Sequence, residues 1–222
     1  MRAMQVRDTS EFNLIEKLAG AIAEDNAACI ARLDAKEFRL RLGIGDDAAA
    51  WDAPAGTQVL TTDTMVEGVH FNLGQISWRD LGWKALASNL SDVAAMGCTP
   101  LYSVITLGLR GDLPVDGLVD MYRGMVEVGR TCGAVIAGGD IVRSPVFFVT
   151  VALTGTATTP DGPLLTRAAA VPGDQVAVTG SLGCSAGGFR MLTENLEFDD
   201  QTSIHLSRAH NRPVPRIAEG LT

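Results

Sequence analysis

Apolar residues recur at helical spacing in three stretches of the chain. These stretches predict helices over Glu11–Asp25, over Trp78–Met96 and from Pro114 to Gly133. Their apolar stripes consist of Phe12, Ile15, Leu18 and Ile22, of Trp83, Leu86, Leu90 and Val93, and of Leu118, Met121, Met125, Val128 and Cys132. Ser10 precedes the first helix as an expected N-cap, while Gly97 and Gly133 are expected to end the other two.

Shorter runs rich in apolar and β-branched residues predict strands between these helices. They cover Glu37–Ile44, Gln58–Thr62, Tyr102–Leu109, Val135–Ala137, Phe147–Gly155 and Gln175–Thr179. A further helix is expected near Gly188–Asn195, and polar residues dominate from there to Arg212. The order of elements indicates an α/β or α+β fold, in which a mixed sheet carries helices on one face.

A polar stretch at Thr156–Pro163, containing proline and glycine, is the expected domain boundary. It divides the chain into an N-terminal domain, residues 1–155, and the start of a second α/β domain, residues 156–222. A unit of about 60 residues is marginal for closing a core by itself. The second unit is therefore expected to be too short to close a core by itself.

Composition restricts the classes of function. The chain has 222 residues, 46% of them apolar, and a net charge of −8, and no Lys/Arg cluster offers a surface for nucleic acid. Its longest apolar run, Val146–Leu153, is too short to cross a bilayer, and residues 1–10 do not resemble a signal peptide. The four cysteines form no CxxC unit and are expected to be thiols in a reducing, cytoplasmic setting.

Five short segments each place an acidic residue beside glycine, serine, threonine or asparagine. They are Gly43–Asp47, Thr61–Thr64, Glu67–Phe71, Asn89–Asp92 and Gly138–Asp140. Three follow strand-like runs, so we expect their carboxylates to gather at turns that leave strand ends. Clustered carboxylates repel one another unless cations lie between them, and oxygen ligands with phosphates are typical of Mg²⁺. The pattern therefore predicts a magnesium-dependent nucleotide enzyme.

Each segment also has a simpler interpretation. Gly43–Ala48 fits the G-x-G-x-x-A dinucleotide pattern, but Asp46 and Asp47 would repel a pyrophosphate there. An acidic turn can cap a helix, a lone histidine such as His70 is more often structural, and Asp92 can face solvent. The recurrence of one polar pattern five times favours the nucleotide interpretation over these alternatives.

The motifs together resemble the thiamine-monophosphate kinase family. The resemblance rests on these segments, on Trp83–Ala87, on Ala94–Gly97 and on later matches at Thr166-Arg167, Pro172–Asp174, Val178–Gly180 and His210-x-x-Pro213. It implies several Mg²⁺ ions and ATP as co-substrate. The implied metal ligands are Asp47, Asp63, Asp92 and Asp140, with Thr61, Thr62 and the neighbouring Asp46. The implied ATP contacts are Gly139, Asp140, Arg167 and Tyr122, and His70 would contact thiamine monophosphate.

The implied reaction transfers the γ-phosphoryl group of ATP to thiamine monophosphate and yields thiamine diphosphate. The acceptor is already an anionic phosphate, so no strong general base is required. The resemblance also implies a homodimer through the N-terminal sheets, and two strands with few charges, Tyr102–Leu109 and Phe147–Leu153, suggest unprotected edges. The family continues beyond Thr222 with an Asp-x-Ser-Asp-Gly segment, so the resemblance implies that the second α/β domain is incomplete at its C-terminal end. Two alternatives remain open: a related enzyme with another acceptor, and an ATP-binding dimerisation module without turnover.

Overall fold

The computed structural model describes residues 3–45, 47–159, 164–168 and 170–222. A 3-10 turn at Val6–Asp8 precedes the first helix. The helices are α1 (Glu11–Asp34), α2 (Trp78–Ala95), α3 (Val115–Cys132), α4 (Cys184–Glu194), α5 (Asp200–Asn211) and α6 (Ile217–Gly220). The strands are β1 (Arg39–Leu42), β2 (Ala50–Asp52), β3 (Gln58–Val66), β4 (Cys98–Leu109), β5 (Val135–Arg143) and β6 (Phe148–Ala157).

Four strands form a mixed sheet in the order β3-β6-β4-β5. β6 is antiparallel to both of its neighbours, β3 and β4, whereas β4 and β5 are parallel and are joined by α3 as a crossover helix. β1 and β2 make a separate two-stranded ladder. Trp51 of β2 packs against Tyr102 of β4 with 4.9 Å between the ring centroids, and β1 contacts α1. The predicted mixed α/β sheet is confirmed.

Helices cover one face of this sheet and leave the other open. α2 contacts β3, β4 and β6, while α1 and α3 contact β5, and fully buried side chains such as Leu81, Leu90 and Ile105 fill the space between. On the other face Leu60 is 73% exposed. The two strands expected to have unprotected edges, β4 and β6, lie inside the sheet; the edges are β3 and β5. That argument for dimerisation is therefore wrong, although the open face remains.

The helix ends explain why the sequence pattern located these elements well. The Ser77 hydroxyl accepts the Asp80 N–H at 3.0 Å and caps α2, and Gly133, at φ 86°, ends α3 in the left-handed conformation that favours glycine. α2 and α3 approach closely because each lacks a side chain at the contact. A Cβ at Gly82 would lie 1.8 Å from the Met121 carbonyl oxygen.

α1 continues past its predicted end at Asp25. Asn26, Cys29 and Leu33 extend its buried stripe at helical spacing. Asn26 is polar, but its amide nitrogen donates to the Ile136 carbonyl at 2.7 Å and its oxygen accepts the Ile136 N–H at 3.3 Å. The buried amide therefore ties α1 to β5 instead of ending the helix.

The second unit differs most from the sequence prediction. α4 begins at Cys184, before the predicted start, and α5 forms in a stretch expected only to be polar, with Asp199 as its cap. The predicted strand at Gln175–Thr179 is wrong: Val176 is 95% exposed, and no described strand pairs with this segment. Isolated strands are not stable without a neighbour. Within the described residues, no helix is long and apolar enough to span a membrane.

Candidate functional site

Two predicted metal ligands, Asp63 and Asp92, come together where β3 passes α2. Thr61 and Asp63 are two residues apart on β3 and therefore share one face. The Thr61 hydroxyl donates to the Asp92 Oδ2 at 2.7 Å, which fixes one hydroxyl against one carboxylate. Burial first, and then the negative charge of Asp92, raise the pKa of Asp63, while nearby His70 opposes the shift. The result is a cluster of oxygen donors with excess negative charge.

The cluster is not located at a strand end as expected. Thr61–Thr64 lies inside β3 and pairs with Leu153–Thr150 of β6, and Gly138–Asp140 lies inside β5, opposite Val104–Thr106. The prediction of turns at these two segments is wrong, because β6 and β4 continue to pair beside them. Asn89–Asp92 likewise lies within α2, where the Asn89 side chain is fully buried. Its Oδ1 has no hydrogen-bond partner among the described residues.

His70 lies in the loop that follows β3, and its orientation is fixed by the backbone. The Val66 N–H donates to His70 Nδ1 at 3.1 Å, so the proton of a neutral ring is on Nε2. The loop is anchored by buried Phe71, whose ring meets Phe147 edge-on at 5.5 Å. Glu67, interpreted from the sequence as another oxygen donor, forms an ion pair with Arg110 instead. His70 thus presents an N–H donor beside the carboxylates.

A second group of predicted ligands lies at the opposite edge of the sheet. The loop after β1 packs beside β5, where a Cβ at Gly138 would lie 3.9 Å from Ala49 Cβ. Asp47 follows β1 in that loop, and Asp46 lies outside the described residues. Gly139 has no room for a side chain, since a Cβ would be 2.0 Å from the Ile105 carbonyl oxygen. Asp47, Gly139 and Asp140 are therefore associated with β5.

The two groups are far apart within one chain. β3 and β5 are separated by β6 and β4, which makes three strand spacings or about 14 Å. Ile141 packs against the core, so by alternation Asp140 and Thr62 lie on the open face whereas Asp63 faces α2. Among the residues the structure describes, no three His, Cys, Asp or Glu side chains are placed to hold one metal ion.

The remaining predicted ATP contacts are dispersed. Tyr122 is buried in the core on α3, at 6% exposure, and burial raises the pKa of its hydroxyl. Arg167 is exposed and follows Leu165, whose N–H donates to the Met96 carbonyl at 3.2 Å. Arg167 thus lies in the segment that crosses the C-terminal end of α2, one helical turn beyond Asp92.

The second unit adds a cavity that sequence analysis missed. It has a volume of about 360 Å³ and lies between the His70 loop, α2, α4 and α5. Lys84 of α2 and His210 of α5 meet there, with 3.1 Å between Nζ and Nε2. Burial lowers the pKa of the Lys84 ammonium, and burial together with Lys84 lowers the pKa of His210. Both residues fall in family-like motifs, but 126 residues of chain separate them.

Arg212 holds the end of α5 on the N-terminal helices. Its guanidinium contacts Asp80 at 3.0 Å and Glu127 at 2.7 Å, and its Cζ lies 4.2 Å from the centroid of the Trp83 ring. Burial alone would raise the pKa of Glu127, but hydrogen bonds from Arg79 and Arg212 outweigh burial and lower it. The Trp83 Nε1–H also donates to the Pro213 carbonyl at 2.7 Å.

Comparisons with known proteins show the family to which the chain belongs. A family model described as AIR synthase related protein, N-terminal domain, matches residues 45–157. Thiamine-monophosphate kinase from Bacillus subtilis (strain 168) is 38% identical over 183 residues, which cover 81% of this chain and 56% of that protein. The protein of the same name from Escherichia coli (strain K12) is 38% identical over 191 residues, covering 85% and 57% respectively. The chain thus spans just over half the length of these relatives.

Solved structures show the same similarity in three dimensions. Thiamine-monophosphate kinase from Stenotrophomonas maltophilia K279a superposes with a TM-score of 0.77 at 32% identity, covering 90% of this chain and 63% of that one. The structure of AaThiL complexed with AMPPCP and TMP superposes with a TM-score of 0.69 at 30% identity, covering 99% and 64%. The match to the latter extends through α4 and α5 as well as the sheet.

Proposed function

The chain belongs to the family of AIR synthase related proteins, and from that membership we propose that it forms part of a thiamine-monophosphate kinase. The proposed reaction moves the γ-phosphoryl group of ATP to the phosphate of thiamine monophosphate, giving thiamine diphosphate. The names of its relatives support this, and so does the AaThiL complex with AMPPCP and TMP. The observation that carries the proposal is the cluster of Thr61, Asp63 and Asp92 beside His70.

The donor set of this cluster fits a hard cation such as Mg²⁺. Carboxylate and hydroxyl oxygens are the ligands that Mg²⁺ prefers. A cation between Asp63 and Asp92 would relieve the repulsion that, after burial, raises the pKa of Asp63. Bound Mg²⁺ would neutralise charge on the ATP phosphates. We assign Thr61, Asp63 and Asp92 to it first, with Asp46, Asp47, Thr62 and Asp140 as further ligands.

The chain's own residues then have limited chemistry to perform. An anionic phosphate acceptor needs orientation and charge neutralisation, since its attacking oxygen carries no proton to remove at neutral pH. His70 is suited to orient it, because its Nε2–H can donate one hydrogen bond without adding negative charge. Gly139 and Arg167 are assigned to ATP, and Tyr122 supports the site from the core.

A second copy of the chain would complete the site. Asp63 and Asp140 lie at opposite edges of one sheet, about 14 Å apart, so they cannot share a nucleotide's metal ions closely in one chain. A dimer that places β3 of one copy near β5 of the other would bring the two groups together. The exposed Leu60 on the open face of β3 supports a homodimer. The expected cytoplasmic location, supported by four free thiols, stays a prediction.

Calorimetry with a non-hydrolysable ATP analogue tests the metal-bridged site. Binding should require Mg²⁺ and should fall at least tenfold in Asp63→Asn and Asp92→Asn, because each removes one of two paired carboxylates. Asp116→Asn, an exposed change on α3, is the matched control. Equal affinity in EDTA would contradict the metal-bridged model. Chromatographic detection of thiamine diphosphate from ATP, Mg²⁺ and thiamine monophosphate tests the reaction itself.

Mixing two variants tests the shared site. Asp63→Asn and Asp140→Asn chains should each bind the Mg²⁺–nucleotide weakly. After mixing and re-equilibration, about a quarter of the sites should be intact, since half of the dimers are mixed and each has one intact site. If no binding returns, although light scattering shows dimers, each site lies within a single chain.

A further inference from the structure

Lys84 is a cation in an unusual position. It is one of three lysines in the sequence, and it lies half-buried on α2 at the cavity between the His70 loop, α4 and α5. The other two, Lys17 and Lys36, are exposed on or next to α1. Long charged side chains are rarely buried unless another group compensates their charge.

The known contact of Lys84 provides no opposite charge. Its Nζ lies 3.1 Å from His210 Nε2, and His210 Nδ1 lies 3.3 Å from the Ser185 hydroxyl. An ammonium has three N–H donors, and this contact uses one. Across the four described ranges, no ion pair joins Lys84 to a carboxylate.

Arg212 is a cation at the same interface whose charge is balanced by carboxylates. It also lies between the second unit and α2, and it contacts both Asp80 and Glu127. Lys84 has an imidazole in place of these carboxylates, and burial correspondingly lowers the pKa of its ammonium. The contrast indicates that the charge opposite Lys84 belongs to something other than these two helices.

The described part of the cavity wall carries no negative side chain. Although the chain carries a net charge of −8, none of the described lining residues is acidic. His70 adds a second donor through Nε2–H, and Phe71, Ile76, Phe189 and Leu192 provide apolar and aromatic surface. Such a lining suits an anion attached to a flat or apolar body.

We propose that this cavity binds a phosphomonoester and that Lys84 supplies the charge opposite its phosphate, while His210 and Ser185 hold the ammonium in place. This rests on the proposed function, in which the ligand is the acceptor thiamine monophosphate. Lys84, Ser88 and Asp92 follow one another at intervals of four along α2 and share one side of it. About 12 Å of helix separates Lys84 from Asp92, which leaves room for a phosphate between the ammonium and the metal cluster.

Lysine labelled with ¹³C at Cε makes the three side chains separately observable by NMR. Saturating thiamine monophosphate should shift the Lys84 signal, whereas Lys17 and Lys36 should stay unchanged. Thiamine, which lacks the phosphate, should leave Lys84 unchanged. Inorganic phosphate is the third probe: a response to it alone, without any to thiamine monophosphate, would overturn the assignment to a phosphomonoester. An unmoved Lys84 signal at saturation would overturn the site.

Variants provide the quantitative test. Lys84→Gln should weaken thiamine monophosphate binding at least tenfold and raise its KM, with the KM for ATP unchanged, and Lys36→Gln should change neither. If Lys84→Gln does not fold, the NMR titration of the unmutated chain decides. If thiamine monophosphate binding depends on Lys84 but no phosphoryl transfer occurs, the anion site is upheld and the proposed function is contradicted. If phosphoryl transfer occurs and the KM for thiamine monophosphate is the same in Lys84→Gln as in the unmutated chain, the proposed function is upheld and the anion site is contradicted.

Discussion

The sheet region, residues 3–157, and the second unit, residues 164–222, are held together by different forces. In the sheet region Leu90, Ile105 and Leu107 are completely buried, together with many other apolar side chains. In the second unit Met191 is the one large apolar side chain in the described ranges that is buried, while Leu182 is 79% exposed. Apolar burial stabilises the first region, whereas the second is attached to it by hydrogen bonds and ion pairs and by the partly buried Leu164 and Ile217.

This contrast predicts which part of the protein unfolds locally first. Regions with few buried apolar contacts unfold locally at lower free-energy cost than the core. Arg212 and Trp83 join the two regions through directed polar contacts at the surface of the core. We therefore expect the second unit to exchange amide hydrogens faster than β4 or α2.

The largest effect is expected from a core truncation in the sheet region. Leu90 is 0% exposed, and Leu90→Ala should lower the free energy of unfolding by about 2–5 kcal/mol because it leaves a cavity. Urea denaturation followed by circular dichroism measures this loss. Leu182→Ala in the second unit should change stability by less than about 0.5 kcal/mol. Equal losses in both variants would contradict the comparison.

A smaller effect is expected when the polar attachment is removed. Arg212→Gln breaks two ion pairs and the stacking on Trp83, and it leaves Asp80 and Glu127 partly buried. Exchange protection in α5 should fall by about 1–3 kcal/mol, whereas β4 should keep its protection. Arg190→Gln breaks an exposed pair with Glu194 and should cost about 0.5 kcal/mol or less. Loss of protection throughout the sheet would show that the regions unfold as one.

The smallest effect on stability is expected at Asp63, a charged residue in the sheet region whose carboxylate disfavours folding. Because the folded protein raises the pKa of Asp63 above its ordinary 3.8, the charged carboxylate disfavours folding at neutral pH. Asp63→Asn should therefore slightly raise the melting temperature of the metal-free protein. That advantage should shrink as the pH falls through the raised pKa and vanish below the ordinary value, where both forms are neutral. A lower melting temperature for the variant at pH 7 would contradict this.

The sequence predicted the elements whose apolar pattern matches their burial. Leu86, Leu90 and Val93 were correctly placed on the buried side of α2. α5 was missed because its sequence has no apolar stripe. Its local signals were the cap at Asp199, the acidic Asp200 in the first turn and the basic Arg208 and His210 in the last. The strand at Gln175–Thr179 was wrong because a strand pattern reports local preference, whereas a strand forms only with a neighbour.

The candidate site was predictable in part for a similar reason. Asp63 and Asp92 were found because acidic residues recur in polar motifs, and the structure brings these two together. The separation of Asp140 from them depends on strand order, which no local pattern contains. Lys84 and His210 were outside the predicted site because only the docking of α5 on α2 makes them neighbours. The roles of all these residues stay predictions.

The backbone contact at Gly82 gives α2 a mechanical role. With no side chain between Gly82 and the Met121 carbonyl, there is no soft layer there that could absorb a displacement. We therefore expect α2 to move only as one rigid unit. This helix carries Asp80, Lys84 and Asp92. A rotation of α2 that weakened its contacts with α5 would therefore also shift the Asp92 carboxylate beside Thr61. A Cβ at Gly124 of α3 would likewise lie 1.9 Å from the Arg79 carbonyl oxygen. The two glycines thus hold the backbones of α2 and α3 in close contact, and this contact keeps distant polar groups in a single alignment.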